Sequence, residues 1–105
     1  MSDCIFCKII AGDLPCTKVY EDEHILAFKD LHPKAPVHIL VIPKTHVAGL
    51  FDIGGSHQDL MGHLTSKLAE IAKSQGLKDG FKTQVNTGAI AGQEVFHLHY
   101  HILGG

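Results

Sequence analysis

The chain has 105 residues, a formal net charge of −2 and an apolar fraction of 45%, which are ordinary values for a single soluble domain spanning 1–105. Nine residues are histidine and none is arginine, so a bound anion must be met by histidine, lysine, backbone N–H groups or a metal. Dispersed lysines argue against a nucleic-acid surface. The apolar runs fall far short of the about 18 residues that span a membrane, and three cysteines without a secretory signal favour the cytoplasm.

The first half of the sequence predicts a short helix followed by three strands. Residues 3–12 are typical of a short helix or turn, in which Asp3 could cap the start and Gly12 could form the end. Two runs, Lys18–Glu21 and Ile25–Lys29, flank a polar turn and predict a hairpin. The most apolar run, residues 37–42, predicts a central strand.

The second half predicts one long helix and two further strands. Residues 56–75 repeat apolar side chains at helical spacing, and Ser56 is expected to cap this helix. Residues 81–86 and 96–103 predict strands, and a glycine-bearing loop at 87–93 precedes the second of them. The predicted fold class is therefore α+β, with a mainly antiparallel five-stranded sheet, one long helix and a short N-terminal helix.

The last predicted strand carries histidine at every second position. Successive side chains of a strand leave opposite faces, so the histidines share one face and the apolar residues between them occupy the other. The alternating residues are His97, Leu98, His99, Tyr100, His101 and Ile102. Such a row of imidazoles is typical of zinc sites or of nucleophilic catalysis, where one ring attacks and its neighbours move protons. The preceding loop offers backbone N–H groups that suit a phosphate-like anion, which favours catalysis.

Residues 97–103 match the motif His-φ-His-φ-His-φ-φ, in which φ is apolar, at every position. Further matching segments lie in order along nearly the whole chain, at 5–10, 27–30, 35–38, 40–44, 85–86 and 92–96. On these residues the sequence resembles the histidine-triad (HIT) nucleotide-binding proteins, specifically the bacterial type of their Hint branch. The resemblance implies a HIT-like fold and a hydrolase that cleaves purine nucleoside phosphoramidates, or related nucleoside monophosphate conjugates, through a nucleotidyl-histidine intermediate.

The resemblance also implies a role for each catalytic histidine. His99 matches the nucleophile that attacks the α-phosphorus, and a neutral imidazole is a good nucleophile at pH 7. His101 matches the position that contacts the phosphate and helps to protonate the leaving amine. His97 and His38 match the pair that orients the other rings and relays protons.

A nucleoside-binding site is implied by the same resemblance. Asp30 matches the acid that binds the ribose hydroxyls, and the alternative is a turn cap before Pro33. Asn86, Gly92 and Glu94 match positions near the phosphate. Glu94 is expected to contribute its backbone N–H there, because its carboxylate would repel the anion. The apolar walls around the base match residues whose alternative role is plain core: Ile5, Phe6, Ile9, Phe28 and Leu31.

A second site is suggested by the Cys-x-x-Cys spacing of Cys4 and Cys7, which occurs in zinc knuckles; the alternative is a reduced pair of thiols. Some HIT proteins complete such a site with two histidines, at positions that match His46 and His97. The resemblance thus implies a structural zinc held by two thiolates and two imidazoles, with no organic cofactor. The remaining candidates are interpreted as a thiol without a chemical role and as surface or capping histidines: Cys16, His24, His32, His57 and His63.

Proteins of this branch form homodimers in which two sheets join, so a homodimer is expected here. They usually continue with a tail after the motif, whereas this sequence ends at Gly105. This departure leaves substrate preference and dimer strength open, but it removes no residue of the motif. Two other functions fit the same residues. One is a nucleotide- or zinc-binding regulatory module with incidental turnover, and the other is a metalloenzyme that uses all three triad histidines as ligands.

Overall fold

The computed structural model describes residues 3–105 of the chain. Its helices and strands are α1 (Ile5–Ala11), β1 (Lys18–Glu21), β2 (Ile25–Lys29), β3 (Val37–Pro43), α2 (Gln58–Ser74), β4 (Lys82–Gln84) and β5 (Tyr100–Gly104), with 3₁₀ turns at Leu50–Asp52, Gly55–His57 and Ala89–Ala91. The strands form one antiparallel sheet in the order β1-β2-β3-β5-β4. This confirms the predicted α+β fold class and the five-stranded sheet. Neither helix of the described residues has the length and apolar character to cross a membrane.

The two faces of the sheet are covered by different helices, because the side chains of each strand alternate between the faces. Helix α2 packs on one face, where the buried core includes Ile25, Ala27, Ile39, Val41, Leu64, Leu68, Ile71 and Ile102. Helix α1 packs on the other face, where the buried core is Phe6, Leu26, Phe28, Leu40 and Ile42. The rings of His97 and His99 contact Phe6, so the triad lies on the α1 face.

Both helices start differently from the prediction. The sulfur of Cys4 caps α1 by accepting the N–H of Cys7 at 3.4 Å, so the predicted cap at Asp3 is wrong. Helix α2 begins at Gln58 after a 3₁₀ turn, and no side chain caps it, so the predicted cap at Ser56 is wrong as well. In each case a neighbouring group accepts a backbone N–H at the start of the helix, where a polar side chain was expected to do so. This group is the Cys4 sulfur at α1 and the 3₁₀ turn at α2.

The last strand is shorter than predicted. Regular pairing begins only at Tyr100, and residues 96–99 lie outside the strand, with a bend at 96 and 97. The reason is a long-range contact, in which the N–H of Leu98 donates to the carbonyl of Val47 at 2.7 Å instead of to a neighbouring strand. Strand β4 is likewise shorter than predicted. The triad nevertheless stays on one face, since His97 and His99 contact Phe6 and His101 lies opposite Leu40 of the same core.

Candidate active site

A cavity of about 660 Å³ opens on the α1 face of the sheet. Every residue that was predicted to bind substrate lines this cavity. The rings of His38, His99 and His101 line it too, whereas His97 lies outside it and is fully buried. The structure therefore gathers the predicted substrate-binding residues and three of the predicted catalytic histidines around one space.

The sheet register explains why these side chains meet. Residues that face each other across antiparallel strands project from the same face of the sheet. One such row crosses four strands, from Phe28 through Leu40 and His101 to Gln84. It places an apolar surface on one side of His101 and a hydrogen-bonding amide on the other.

A backbone carbonyl fixes the tautomer of the neutral His99 ring. Its Nδ1 lies 2.8 Å from the carbonyl oxygen of His97, and a carbonyl can only accept, so this nitrogen carries the ring proton. In the neutral ring, Nε2 is then left with a lone pair. The edge contact with Phe6, at 5.1 Å between ring centroids, holds the ring in place. The neutral form of His99 thus combines a fixed orientation with a lone pair on Nε2, in a ring that lines the cavity.

His38 and His101 form a hydrogen-bonded pair beside it. The Nε2 of His38 lies 2.8 Å from the Nδ1 of His101, and the rings of His101 and His99 are 5.0 Å apart. Burial, followed by the nearby His99 and His38, lowers the pKa of His101 to about 4. Burial also lowers the pKa of His38, against the opposing effect of the Asp30 carboxylate. Both rings are therefore neutral at pH 7.

Asp30 caps a turn and also lines the cavity. One carboxylate oxygen, Oδ1, accepts the N–H of His32 at 2.8 Å and caps the turn. The other, Oδ2, lies 3.4 Å from the Nε2 of His38, and the residue lines the cavity. Capping therefore leaves one oxygen available on the cavity side.

Two side-chain amides hold the loop that precedes the triad. Asn86 donates to the carbonyl of Ala91 at 2.7 Å. The buried Gln93 accepts the N–H of Gly88 at 2.8 Å and donates to the carbonyl of Ala48 at 2.7 Å. Gly92 has a φ of +90°, and a Cβ there would lie 3.2 Å from the amide of Asn86. The loop is thus fixed before any ligand arrives.

A second cluster of side chains lies at the start of α1. The sulfur of Cys4 is 3.4 Å from the Nδ1 of His97, and the sulfur of Cys7 is 3.3 Å from the Nδ1 of His46. The two Nδ1 atoms are 3.1 Å apart, and all four atoms lie within 4.8 Å of one another. Cys4, Cys7, His46 and His97 therefore meet as the sequence predicted.

The cluster fits a tetrahedral metal ion. Zinc–nitrogen and zinc–sulfur bonds of about 2.0–2.3 Å in a tetrahedron place the ligand atoms roughly 3.3–3.8 Å apart, close to the distances found. The Nε2 of His97 donates to the carbonyl of Pro43 at 2.8 Å, so its Nδ1 presents a lone pair to the cluster, as a metal ligand must. Two thiols and two imidazoles could hold a zinc ion with no open position.

The structure adds residues that sequence reasoning did not assign to the site. The cavity is also lined by Pro15, Cys16, His32, Lys34, Leu40, Lys82, Gln84, Val95 and Leu103, among others. The spacing of Gln84 two residues before Asn86 could have placed it on the same strand face. Leu31 lines the rim and remains 83% exposed, so it contributes less to the apolar wall than the buried Phe6 and Phe28.

Of the histidines interpreted as surface or capping residues, His24, His57 and His63 do not line the cavity, whereas His32 does. His63 is 2.7 Å from the carboxylate of Asp22 and contacts the ring of His24. His57 accepts the N–H of Gly54 at 3.0 Å and so caps a 3₁₀ turn. His32 is exposed at the rim of the cavity. Cys16, interpreted as a thiol without a chemical role, also lines the cavity.

Comparison with known proteins agrees with this fold. A family model described as "Scavenger mRNA decapping enzyme C-term binding" matches residues 3–105. Protein HitA of Neisseria gonorrhoeae is 54% identical over 104 residues, which cover 99% of this chain and 97% of that protein. The 14 kDa zinc-binding protein of Brassica juncea is 45% identical over 105 residues, covering 98% of this chain and 93% of that one.

Among solved structures, a HIT family hydrolase from Legionella pneumophila superimposes with a TM-score of 0.95 at 41% identity, over 98% of this chain and 93% of that one. Agreement of this kind extends over nearly the whole length of both chains. The chain therefore belongs to the histidine-triad (HIT) family. Its fold is that of the HIT family hydrolases.

Proposed function

We propose that the protein is a nucleotide-binding hydrolase that cleaves purine nucleoside phosphoramidates, or related nucleoside monophosphate conjugates, through a nucleotidyl-histidine formed on His99. One observation carries the proposal. The hydrogen bond from the Nδ1 of His99 to the carbonyl of His97 leaves a lone pair on Nε2 of a ring that lines the cavity. A neutral, oriented imidazole is the nucleophile that such a reaction needs.

The reaction divides into two displacements. In the first, the Nε2 lone pair of His99 bonds to the phosphorus, the P–N bond breaks, and the leaving nitrogen keeps the bonding electrons and takes up one proton. In the second, water bonds to the phosphorus, the bond to His99 breaks, and water releases one proton. His101, 5.0 Å from His99 between ring centroids, lies where it can contact the phosphate and help to move these protons. Overall, one water is consumed and a nucleoside monophosphate and an amine are released.

The remaining cavity residues are assigned by what they can bind. Asp30 has one carboxylate oxygen available for the ribose hydroxyls. Ile5, Phe6, Ile9, Phe28 and Leu31 provide the apolar surface for the base. Within the described residues, the N–H groups of Glu94 and Val95 donate to no protein group, and both residues line the cavity. We assign these N–H groups, with Asn86 and Gly92, to the phosphate.

The Cys4, Cys7, His46 and His97 cluster is proposed to hold a structural zinc ion. The geometry of the four ligand atoms supports it, and a relative is named a zinc-binding protein. Bound there, zinc would supply a cross-link between chain segments rather than an activated water. His97 then acts on the reaction only through its carbonyl, which orients His99.

The assembly and location follow as further proposals. The 105 residues are proposed to act as a single domain that forms a homodimer in the cytoplasm. The short strand β4 lies at an edge of the sheet and its residues are exposed, which supports joining of two sheets along this edge. Gel filtration with light scattering at micromolar concentration tests the dimer, and a monomer would contradict it.

The central experiment measures turnover of an adenosine phosphoramidate. His99→Ala is expected to lower kcat by several orders of magnitude and to retain AMP binding, because the nucleophile is lost but the cavity remains. His63→Ala is the matched control, since His63 lies on the α2 face away from the triad. Unchanged turnover in His99→Ala would contradict the mechanism and favour a binding module with incidental turnover. Immediate loss of turnover on chelation, with the fold intact, would instead favour a catalytic metal.

A further inference from the structure

A backbone group outside the His38–His101 pair determines which of the two rings donates the hydrogen bond between them. The backbone N–H of Lys34 donates to the Nδ1 of His38 at 3.1 Å. A backbone N–H can only donate, so Nδ1 of His38 must present a lone pair. The single proton of the neutral His38 ring is then carried by Nε2.

This proton decides the state of His101. The Nε2 of His38 lies 2.8 Å from the Nδ1 of His101, so it donates and Nδ1 of His101 accepts. A neutral ring that accepts at Nδ1 carries its proton at Nε2. His101 thus has an N–H on the nitrogen that is not bonded to His38, in a ring that lines the cavity.

We infer that the backbone amide of Lys34 is a positioning group, which fixes the tautomers of His38 and His101 so that His101 presents an N–H, and not a lone pair, to the substrate. The distinction matters because a lone pair would repel anionic phosphate oxygens, whereas an N–H attracts them and can donate to the leaving nitrogen. Neutral imidazole acts as such a donor in other enzymes. The role in turnover rests on the proposed function, but the tautomers do not.

Two other groups face His38 and neither can replace the amide. The Asp30 carboxylate, 3.4 Å from Nε2, also favours a proton on Nε2, but from a longer distance. The Lys34 ammonium acts on His38 only through its charge. Among the residues that the structure describes, only the Lys34 amide contacts the Nδ1 of His38. This contact therefore determines the tautomer of His38.

The amide is tested by removing one hydrogen atom. Lys34→Pro eliminates the N–H, and Lys34→Ala keeps it while removing the ammonium, so the difference between the two variants isolates the amide. If Lys34→Pro fails to fold, an ester in place of the residue-34 amide removes the same N–H and keeps the side chain. An ester at Ala35 is the matched control, since that N–H donates to no residue within 3–105.

The tautomers are read from the ring ¹⁵N shifts of His38 and His101 at pH 7.5. We expect Nε2–H rings in the wild type, in Lys34→Ala and in the Ala35 ester, and a changed or mixed pattern in Lys34→Pro and the Lys34 ester. Because a positioned proton donor contributes about 10²–10⁴-fold, kcat for an adenosine phosphoramidate should fall about tenfold or more between Lys34→Ala and Lys34→Pro, with little change in AMP affinity.

Two results would overturn the inference. One is a wild-type His38 with its proton on Nδ1, and the other is a folded Lys34 ester whose His38 and His101 keep their tautomers. Absence of turnover in the wild type would count against the proposed function alone, since the NMR measurement needs no substrate.

Discussion

Two histidine clusters lie on the α1 face of the sheet, and in both the potential ligand atoms are within 4.8 Å of one another. One contains Cys4, Cys7, His46 and His97, and the other contains Asp30, His38 and His101. By residue type alone, both resemble metal sites, since two histidines and a carboxylate are a familiar ligand set. The two clusters differ in the hydrogen bonds that their histidine rings make on the side facing away from the cluster.

In the first cluster, a backbone carbonyl accepts the ring N–H of His97 on the side facing away from the other ligand atoms. His97 donates its Nε2–H to Pro43, so Nδ1 faces the thiols as a lone pair. In the second, the N–H of Lys34 takes the lone pair of His38, so its proton faces inward on Nε2. A metal there would have to displace that proton. The hydrogen bonds therefore suit the first cluster to a cation and the second to holding a proton.

The largest expected effect is on the first cluster. Removal of zinc by a chelator, or Cys7→Ala, should lower the free energy of unfolding by about 4 kcal/mol, the linkage value for a ligand at about 1,000 times its Kd. Urea denaturation and metal analysis measure the loss. Cys16→Ala is the control, because that thiol lies outside the cluster and should leave the metal content unchanged. Equal stability with and without chelator would show that this cluster holds no structural metal.

The same treatment should weaken nucleotide binding. Helix α1 carries Cys7 of the cluster and also Phe6 and Ile9 of the cavity wall, so an ion that fixes α1 also fixes part of the nucleoside site. AMP titrations on the metal-loaded and chelated protein measure this coupling, which must be reciprocal. Identical AMP affinities would mean that α1 stays docked without the metal.

Acid should act on the second cluster. The pKa of His101 is lowered from 6.5 to about 4, chiefly by burial. Below pH 6.5 the unfolded chain binds a proton that the folded chain excludes, so the free energy of unfolding falls as the pH drops towards 4. The total is about 3 kcal/mol, at 1.36 kcal/mol per pKa unit. Urea denaturation of the metal-free protein across this range measures it. His101→Gln should flatten the dependence, and an equally steep profile would contradict the assignment.

Next in size is the separation of chemistry from metal binding. His101→Gln should lower kcat for an adenosine phosphoramidate by about 10²-fold, the lower range for a positioned acid or base, and leave the zinc content unchanged. His63→Gln provides a matched control for the substitution itself. Loss of zinc in His101→Gln would mean that the two clusters do not act separately.

The smallest effect is expected at a third histidine contact, outside both clusters. His63 pairs with Asp22 at 2.7 Å on the α2 face, where the two side chains are 30% and 24% exposed. Because solvent screens such a pair, His63→Gln should reduce the free energy of unfolding by less than about 1 kcal/mol. Thermal denaturation measures this change. Turnover and metal content are measured on the same variant and should equal those of the wild type. A loss comparable to that of zinc removal would show that partial exposure does not weaken histidine pairs in this fold.

The parts of the fold that local chemistry controls were predicted well. The hairpin of β1 and β2 has the predicted bounds, because the turn is made by its own residues: Asp22 accepts the N–H groups of His24 and Ile25. The start of the last strand was wrong for the opposite reason. Its pairing is interrupted by Val47, about 50 residues away in the chain, and no local pattern reports such a contact.

The candidate site divides in the same way. Alternation placed the triad on one face, and Cys-x-x-Cys spacing marked the thiol pair, because both patterns depend only on local geometry. The meeting of His38 with His101, and of His97 with Cys4, depends on strand register and helix docking. The sequence alone thus determined which reactive groups the protein has and which face they share. Only the tertiary structure decided which nitrogen of each ring carries the proton, because that choice is made by backbone groups such as the Lys34 amide and the Pro43 carbonyl, which every sequence contains and only folding brings into contact.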